Sequence, residues 1–222
     1  MTMRAVVFDM DGLMLNTEDV YSAAGTELLR RRGHAFTAEL KDAMMGQRPQ
    51  PAFELMIRYC HLAETWQQLA AESDQLFLGL LHDYLAPMPG LRELLAALER
   101  AGIPKAIATS SPRRLVDACL QPFHLQPRFV FILTAEDIVH GKPNPEIYLT
   151  AARRFGVSPA EMMVLEDSQN GCIAAAAAGA FAVAVPADHS RGHDFSGASL
   201  VVDSLADPRV YEALGITRGG AE

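Results

Sequence analysis

The sequence predicts an α/β protein in which a doubly wound, Rossmann-like parallel sheet is interrupted by a small all-helical cap domain. The apolar run Val6–Phe8 has the pattern of a strand that is buried on both faces of a sheet. Residues 16–85 contain no convincing strand pattern. From residue 86 onward, apolar runs alternate with amphipathic helix patterns, which is typical of a parallel sheet with right-handed crossovers. We therefore expect an α/β core formed by residues 1–15 and 86–222, and a helical cap formed by residues 16–85.

The composition is that of an ordinary globular protein. The 222-residue chain is 50% hydrophobic and 21% charged, and its formal net charge of −8 argues against nucleic acid or an anionic membrane as a partner. No apolar run is long enough to cross a bilayer, and the first residues lead directly into the predicted strand, so we expect no signal peptide. Cys60, Cys119 and Cys172 lack metal-ligand spacing, which indicates reduced, mostly buried thiols. We expect a cytoplasmic protein.

Successive helix patterns fill the predicted cap. Asn16 and the residues after it provide a capping side chain and acidic groups that favour a helix start, and this helix ends near Gly33. A second helix ends at Met44–Gly46. A third carries apolar residues at i, i+3, i+4 and i+7, ending at Cys60, and a longer fourth helix ends at Tyr84.

Strands and helices alternate after the turn at Pro87–Gly90. A leucine stripe at Leu91–Leu98 indicates one helix, and the pair Ser111–Pro112 has the pattern of a cap followed by proline at the first helical position. Another helix opens at Asn144–Pro145, and Ser168 caps an alanine-rich helix. The predicted strands of this half are Lys105–Thr109, Phe129–Leu133, Met162–Leu165, Phe181–Val185 and Leu200–Val202.

Two carboxylates, Asp9 and Asp11, follow the first predicted strand and precede Gly12. Ligands of open α/β sheets bind at the carboxyl ends of the strands, so this position favours chemistry. An isolated Asp-x-Asp-Gly is also typical of an acidic turn that caps the next element. A calcium loop is a further alternative, but an EF-hand has its glycine at the sixth position, whereas Gly12 is the fourth residue here.

Three further clusters lie at a strand end or in the loop just beyond it. Thr109 and Ser110 run into a helix N-terminus, which suits an anion, although taken alone they are more typical of a serine-rich turn. Lys142 lies between glycine and proline in a chain with 3 lysines and 16 arginines, but a single loop lysine is usually solvated. Glu166 and Asp167 end another strand, where helix capping and metal binding are alternatives.

Together, these four clusters fit one task. Phosphoryl transfer needs a nucleophile, an acid and base for the leaving oxygen, positive charge against the phosphoryl oxygens, and a divalent metal that shields the nucleophilic carboxylate. Carboxylates, hydroxyls and one ammonium at the same edge of a sheet supply these groups. The combination therefore predicts a phosphoryl-transfer site.

The order and spacing of the motifs resemble those of the haloacid dehalogenase superfamily of phosphohydrolases over most of the chain, and the helical insertion is similar to the small cap of that family. Residues 11–18 and 164–168 are similar to the group that contains β-phosphoglucomutase, pseudouridine-5′-phosphatase and sugar-phosphate phosphatases. Aspartate at position 11 favours phosphate esters, because dehalogenase and phosphonate-cleaving branches are not expected to carry it. The motifs that carry the resemblance are Asp9–Gly12, Thr109, Lys142 and Glu166–Asp167.

The resemblance implies a Mg²⁺-dependent phosphomonoesterase that hydrolyses a small phosphorylated metabolite, either a sugar phosphate or a nucleotide-like compound. In this family Asp9 would attack phosphorus and become an aspartyl-phosphate. Asp11 would protonate the leaving group, then activate water, and offer its backbone carbonyl to Mg²⁺. The resemblance also implies that Thr109, Ser110 and Lys142 bind the phosphate group, and that Lys142 assists catalysis. Asp9, Asp167 and Glu166 would bind Mg²⁺.

Two departures from the family pattern bear on activity. Asn16 stands where the pattern usually has aspartate, and because asparagine caps a helix about as well, we expect the hinge geometry to survive. The mutase cap normally offers a histidine shortly after the threonine, but the chain has Glu18–Tyr21 there, which makes a phosphosugar mutase the weaker alternative. A non-catalytic phosphate-binding protein is a third alternative, and the presence of every core catalytic residue type disfavours it.

Substrate choice is expected to depend on Tyr21, Gly46 and Arg48 of the cap, whose side chains or backbone would face the site when the cap closes. The histidines, including His140, show no ligand spacing, and we expect them at the surface or in packing contacts. We expect a monomer, with a dimer left open.

Overall fold

The computed structural model describes residues 2–44 and 49–218. The chain divides into two compact units. The core unit comprises Met1–Asn16 and Ala86–Glu222, and the helical unit comprises Thr17–Leu85. The helical unit is a single insertion between the first strand and the rest of the core unit.

A parallel sheet forms the centre of the core unit. Its six strands in the described part of the chain are β1 (Ala5–Phe8), β2 (Lys105–Ala108), β3 (Ile132–Leu133), β4 (Met162–Glu166), β5 (Phe181–Ala184) and β6 (Leu200–Val201). They are ordered β3-β2-β1-β4-β5-β6, and every neighbouring pair runs parallel. The whole of β1 is buried, which explains its continuous apolar run. The prediction of a doubly wound α/β fold is confirmed.

The helical unit contains α1 (Thr17–Arg30), α2 (Ala38–Met44), α3 (Pro49–Cys60) and α4 (Trp66–Tyr84). The fourth helix begins with a capping box formed by Thr65 and Gln68. Within the described ranges, no helix is both long and apolar enough to cross a membrane. The small hydrophobic core of this unit is built from Leu28, Leu29, Leu40, Met56, Cys60 and Leu69.

The helices of the core unit are α5 (Leu91–Arg100), α6 (Arg113–Leu120), α7 (Glu146–Phe155), α8 (Gln169–Ala178) and α9 (Pro208–Leu214). As predicted, the Ser168 side chain caps α8, accepting a hydrogen bond from the Gly171 amide, and α8 ends at Gly179 in the left-handed conformation. The predicted cap at Ser111 is wrong, because Pro112 occupies the N-cap position of α6 without a side-chain cap. The Ser111 hydroxyl instead donates to Asp11 over 2.8 Å.

The third strand is shorter than the predicted Phe129–Leu133. Residues 126–128 form a 3₁₀ turn, and the Phe129 amide still donates to the Gln126 carbonyl over 3.2 Å. The chain is therefore still turning where the strand was expected to start. Hydrogen bonding to β2 starts at Val130, whose amide donates to the Lys105 carbonyl over 2.9 Å, and the register pairs of the strand begin at Ile132, opposite Ile107.

The segments that lead into and out of the helical unit pair with each other inside the core unit. The Met88 amide donates to the Met14 carbonyl over 2.8 Å, and the Asn16 amide donates to the Ala86 carbonyl over 3.1 Å. The side-chain Oδ1 of Asn16 accepts a hydrogen bond from the Ala86 amide over 2.6 Å. Asn16 therefore joins the two connecting segments through an oxygen that an aspartate would also offer.

Candidate active site

The candidate site lies at the carboxyl ends of β1, β2 and β4. The strand order reverses between β1 and β4, and such switch points are where doubly wound sheets bind ligands. Phe8 of β1 lies opposite Leu165 of β4, and the Asp9 amide donates to the Leu165 carbonyl over 3.0 Å. This register places Asp9 beside Glu166, two residues that are 157 positions apart in the chain.

Lys142 bridges two of the predicted acidic residues. Its ammonium lies 2.5 Å from Oδ1 of Asp9, 2.5 Å from Oε1 of Glu166 and 3.1 Å from the carbonyl of Ala108 at the end of β2. The side chain is only 6% exposed, so it is not the solvated surface lysine that a single loop lysine usually is. This buried ammonium therefore lies where a phosphoryl group bound at Asp9 would need positive charge.

The charges of this pair are strongly perturbed. Burial raises the pKa of Asp9 well above its ordinary value, and the carboxylates of Glu166, Asp167 and Asp11 raise it further, while Lys142 lowers it. Burial opposes the charge on Lys142, but Asp9 and Glu166 outweigh that effect and raise the pKa of the ammonium well above its ordinary value. Lys142 therefore stays charged, and Asp9 needs further positive charge to stay ionised.

Glu166 is fully buried and held from several sides. In addition to Lys142, the Tyr148 hydroxyl donates to its Oε1, and the Ser168 hydroxyl donates to its Oε2 over 3.1 Å. A Cβ atom at Gly171 would lie only 1.9–2.0 Å from the carboxylate atoms of Glu166, so a glycine is required there. These contacts fix the Glu166 carboxylate beneath the Lys142 ammonium.

Asp11 points toward the loop after β2. Its Oδ2 accepts hydrogen bonds from the hydroxyls of Thr109 and Ser111, each over 2.8 Å. Its Oδ1 is buried and has no hydrogen-bond partner among the described residues. Thr109 is fully buried, whereas Ser110 is exposed. The Asp11 side chain is therefore directed at hydroxyl groups, and the predicted phosphate binding by Thr109 and Ser110 stays a prediction.

Three buried carboxylates could hold a divalent cation. Asp9, Glu166 and Asp167 each offer a ligand oxygen, and these oxygens lie within 4.8 Å of one another. Carboxylate oxygens are the ligands that Mg²⁺ prefers. Lys142 supplies one positive charge against these three acids, so the donor set and its charge balance both fit Mg²⁺. The side chain of Asp11 is not one of these three carboxylates. The family resemblance implies only the backbone carbonyl of Asp11 as a ligand, and this stays a prediction.

His189 is a site residue that the sequence analysis missed. Its Nε2 lies 2.8 Å from Oδ2 of Asp167, so the expected packing contact of this histidine is made to a predicted site residue. It follows β5, the strand next to β4, and that position at the carboxyl edge was the available signal. His140, in contrast, is exposed as expected and lies beside Glu146.

Tyr148 and Gly171 were missed for a different reason. Tyr148 has the helical spacing of a core residue of α7, and nothing local indicates that its hydroxyl reaches Glu166. An isolated glycine inside a helix costs stability and often marks a close approach, so Gly171 in the alanine-rich α8 did carry a usable signal.

The residues predicted to set specificity lie in the helical unit. The ring of Tyr21 packs against Phe77, with ring centroids 4.4 Å apart. Gly46 and Arg48 lie outside the described residues. Their predicted roles therefore stay predictions.

Comparison with known proteins gives consistent matches over most of the chain. The family model described as haloacid dehalogenase-like hydrolase matches residues 3–179. A Drosophila melanogaster protein named Probable pseudouridine-5′-phosphatase is 35% identical over 207 residues, covering 90% of this chain and 89% of that protein. The Phosphorylated carbohydrates phosphatase of Thermotoga maritima is 30% identical over 177 residues, covering 80% of this chain and 82% of that protein.

Solved structures agree with these matches. The crystal structure of CbbY from Rhodobacter sphaeroides in complex with phosphate superposes with a TM-score of 0.80 at 27% identity, covering 93% of this chain and 96% of that one. The fold, the motifs and the relatives therefore agree, and the chain is a phosphatase that belongs to the haloacid dehalogenase-like hydrolase family.

Proposed function

We propose that this chain is a Mg²⁺-dependent phosphomonoesterase that hydrolyses a small phosphorylated metabolite through an aspartyl-phosphate on Asp9. One observation carries the proposal. Asp9 lies at the end of the central strand, with the Lys142 ammonium on one oxygen and the acids Glu166 and Asp167 beside it. A nucleophile, a buried positive charge and a cation site thus meet at one point, as phosphoryl transfer requires.

Asp9, Glu166 and Asp167 would hold the Mg²⁺, with the backbone carbonyl of Asp11 as a further ligand. When bound, Mg²⁺ offsets the negative charge of the nucleophile and of the phosphoryl oxygens. The raised pKa of Asp9 supports this assignment, because a bound cation favours the ionised carboxylate that the reaction needs.

The chain's own residues then divide the work. A carboxylate oxygen of Asp9 forms a bond to phosphorus while the bond from phosphorus to the leaving oxygen breaks, and Asp11 gives its proton to that oxygen. The hydroxyls of Thr109 and Ser111 then stabilise the Asp11 carboxylate that remains. In the second step Asp11 takes a proton from water as the water oxygen forms a bond to phosphorus, the bond from phosphorus to the Asp9 oxygen breaks, and phosphate is released from the regenerated Asp9 carboxylate. Lys142 neutralises charge on the phosphoryl oxygens throughout.

The names of the relatives support a small organic phosphate as substrate. One is named for pseudouridine 5′-phosphate and another for phosphorylated carbohydrates, which are both compact phosphate monoesters of a polar ring or chain. We propose a sugar phosphate or a nucleoside monophosphate, with Tyr21, Gly46 and Arg48 contributing to the choice. The net charge of −8 does not favour an anionic substrate, so Lys142 and a bound Mg²⁺ would have to supply the positive charge that holds the phosphate group at the site.

Phosphate release from a panel of sugar phosphates and nucleoside monophosphates in the presence of Mg²⁺ tests the proposal. A phosphatase releases inorganic phosphate in proportion to substrate lost. A mutase would instead convert a sugar 1-phosphate to a 6-phosphate without net release. Absence of both reactions across the panel would favour a non-catalytic phosphate-binding protein.

The roles of the two central aspartates can be separated by intact mass after incubation with acetyl phosphate, whose leaving group needs no proton. Asp9→Asn should abolish both turnover and the added phosphoryl group. Asp11→Asn should lose turnover but still accept a phosphoryl group slowly on Asp9. An adduct that persists in Asp9→Asn, or normal turnover in Asp11→Asn, would contradict the assignment.

A further inference from the structure

The His189 imidazole lies against Asp167, and no step proposed above uses it. A carboxylate oxygen only accepts hydrogen bonds, so Nε2 of His189 is the donor across the 2.8 Å to Oδ2 of Asp167. The two side chains are 15% and 5% exposed. We infer that His189 is a positioning residue that orients the Asp167 carboxylate for Mg²⁺, an inference that rests on the proposed function.

The backbone after β5 holds His189 in place. The Val185 amide, directly after β5, donates to the Glu166 carbonyl over 2.7 Å, which attaches the start of this loop to the end of β4. Residues Asp188–Ser190 then form a 3₁₀ turn, in which the Ala187 amide donates to the Ser190 hydroxyl and the Ser190 amide donates to the Ala187 carbonyl. Ser190 is fully buried. The turn is therefore internally bonded, and it presents the imidazole to Asp167 from a fixed backbone.

Gly12 provides the space for this pair. It has a φ of +77°, and a Cβ atom at this position would lie 2.5 Å from Oδ2 of Asp167 and 2.8 Å from Cε1 of His189. The imidazole and the carboxylate thus pack directly on the backbone that follows Asp11. Three chain segments, after β1, β4 and β5, meet at this contact.

The consequence for metal binding follows from the carboxylate itself. A hydrogen bond to one oxygen restricts rotation of the carboxylate, and this fixes the direction in which its other oxygen points. Partners that orient metal ligands in this way typically contribute about 10- to 100-fold to metal affinity. His189 would therefore act on the metal through Asp167, without contacting the substrate.

Isothermal titration of the purified protein with Mg²⁺ tests this role. His189→Ala should raise the dissociation constant for Mg²⁺ by about 10- to 100-fold. His189→Gln should recover most of the loss, because its side-chain amide can donate to the same oxygen. His82→Ala is the matched control, since His82 is an exposed histidine in α4, and it should bind Mg²⁺ like the wild type.

A second readout separates positioning from damage to the fold. In His189→Ala the Mg²⁺ concentration for half-maximal turnover should rise, while kcat at saturating Mg²⁺ stays close to that of the wild type. Melting in EDTA shows whether each variant is folded, and His189→Gln keeps the test valid if the alanine variant is not.

The outcomes distinguish this inference from the proposed function. A wild-type protein that does not bind Mg²⁺ overturns the proposed cofactor and the inference with it. A wild-type protein that binds Mg²⁺, together with an unchanged dissociation constant in His189→Ala, overturns the inference alone. Equal losses in the alanine and glutamine variants also overturn it, because the hydrogen bond would then not be the cause.

Discussion

Removal of one hydroxyl group, by Tyr148→Phe, tests the buried network beneath Lys142. Tyr148 is fully buried in α7, and its hydroxyl donates to the same Oε1 of Glu166 that Lys142 contacts. Phenylalanine keeps the ring, whose centroid lies 5.2 Å from the Lys142 ammonium. The substitution therefore removes one donor and leaves the packing and the cation–π contact in place.

The expected magnitude follows from the burial of Glu166. A hydrogen bond to a charged group contributes about 1.5–3 kcal/mol to stability, and an acceptor with no exposed surface is poorly placed to replace the lost donor with bulk water. Tyr148→Phe should therefore lower the free energy of unfolding by about 1.5–3 kcal/mol. Tyr211→Phe is the matched control. Tyr211 is also buried, but its hydroxyl has no hydrogen-bond partner among the described residues, so its removal should cost little or nothing.

Urea unfolding followed by circular dichroism in EDTA measures both variants against the wild type. Equal m-values would show that the same surface is exposed in each case, so that the midpoints report stability. If the loss in free energy of unfolding for Tyr148→Phe stays within about 0.5 kcal/mol of the value for Tyr211→Phe, the reasoning is refuted, because the hydrogen bond to Glu166 would then not stabilise the fold.

Three further substitutions or conditions test the site. Lys142→Ala should lower kcat/KM more than tenfold, about 1.4 kcal/mol of transition-state stabilisation, while Lys41→Ala in α2 leaves the phosphate-release rate unchanged. Gly171→Ala should lower the melting temperature, because its methyl group would lie 1.9–2.0 Å from the carboxylate of Glu166 at the end of β4. Gly79→Ala in α4 is the control: a Cβ atom there has nothing within 4 Å, so the substitution should raise the free energy of unfolding by about 0.5–1 kcal/mol. Burial raises the pKa of Asp9 above its ordinary value of 3.8, so above that pH the metal-free folded state holds a proton that the unfolded chain has released. Binding of this proton stabilises the metal-free fold, and that stabilisation is lost as the pH rises. The gain in melting temperature from Mg²⁺ should therefore increase as the pH rises above 3.8, and a gain independent of pH would contradict this account.

The central part of the fold could be predicted because its signals are local. Strands β1 and β4 are buried along their whole length, and this gives continuous apolar runs that end on the acids of the site. The edge strand β3 was predicted too long. Its residues have the same apolar character, but where pairing starts depends on the 3₁₀ turn at Gln126–Arg128 and on the partner strand.

The site residues also differ in whether a local sequence signal could predict them. Asp9, Lys142 and Asp167 could be predicted because strand ends in this topology meet at one edge, and because the clusters together fit one task although each alone has an ordinary structural explanation. Tyr148 and His189 could not be predicted in the same way. Their contribution depends on which atom of a distant residue they reach, and that is decided by the packing of α7 and by the loop after β5.

The charge balance explains why the site residues have to be considered together. Burying carboxylates close to one another is unfavourable, and Lys142 alone does not offset Asp9, Glu166 and Asp167. Neutral hydrogen-bond donors offset part of this cost. The Tyr148 hydroxyl donates to Glu166, and the His189 imidazole donates to Asp167. What remains uncompensated is negative charge beside the nucleophile. A divalent cation would offset that charge, so the arrangement that is costly for the metal-free fold favours binding of the cation, and the bound cation together with Lys142 would then attract the anionic phosphoryl group.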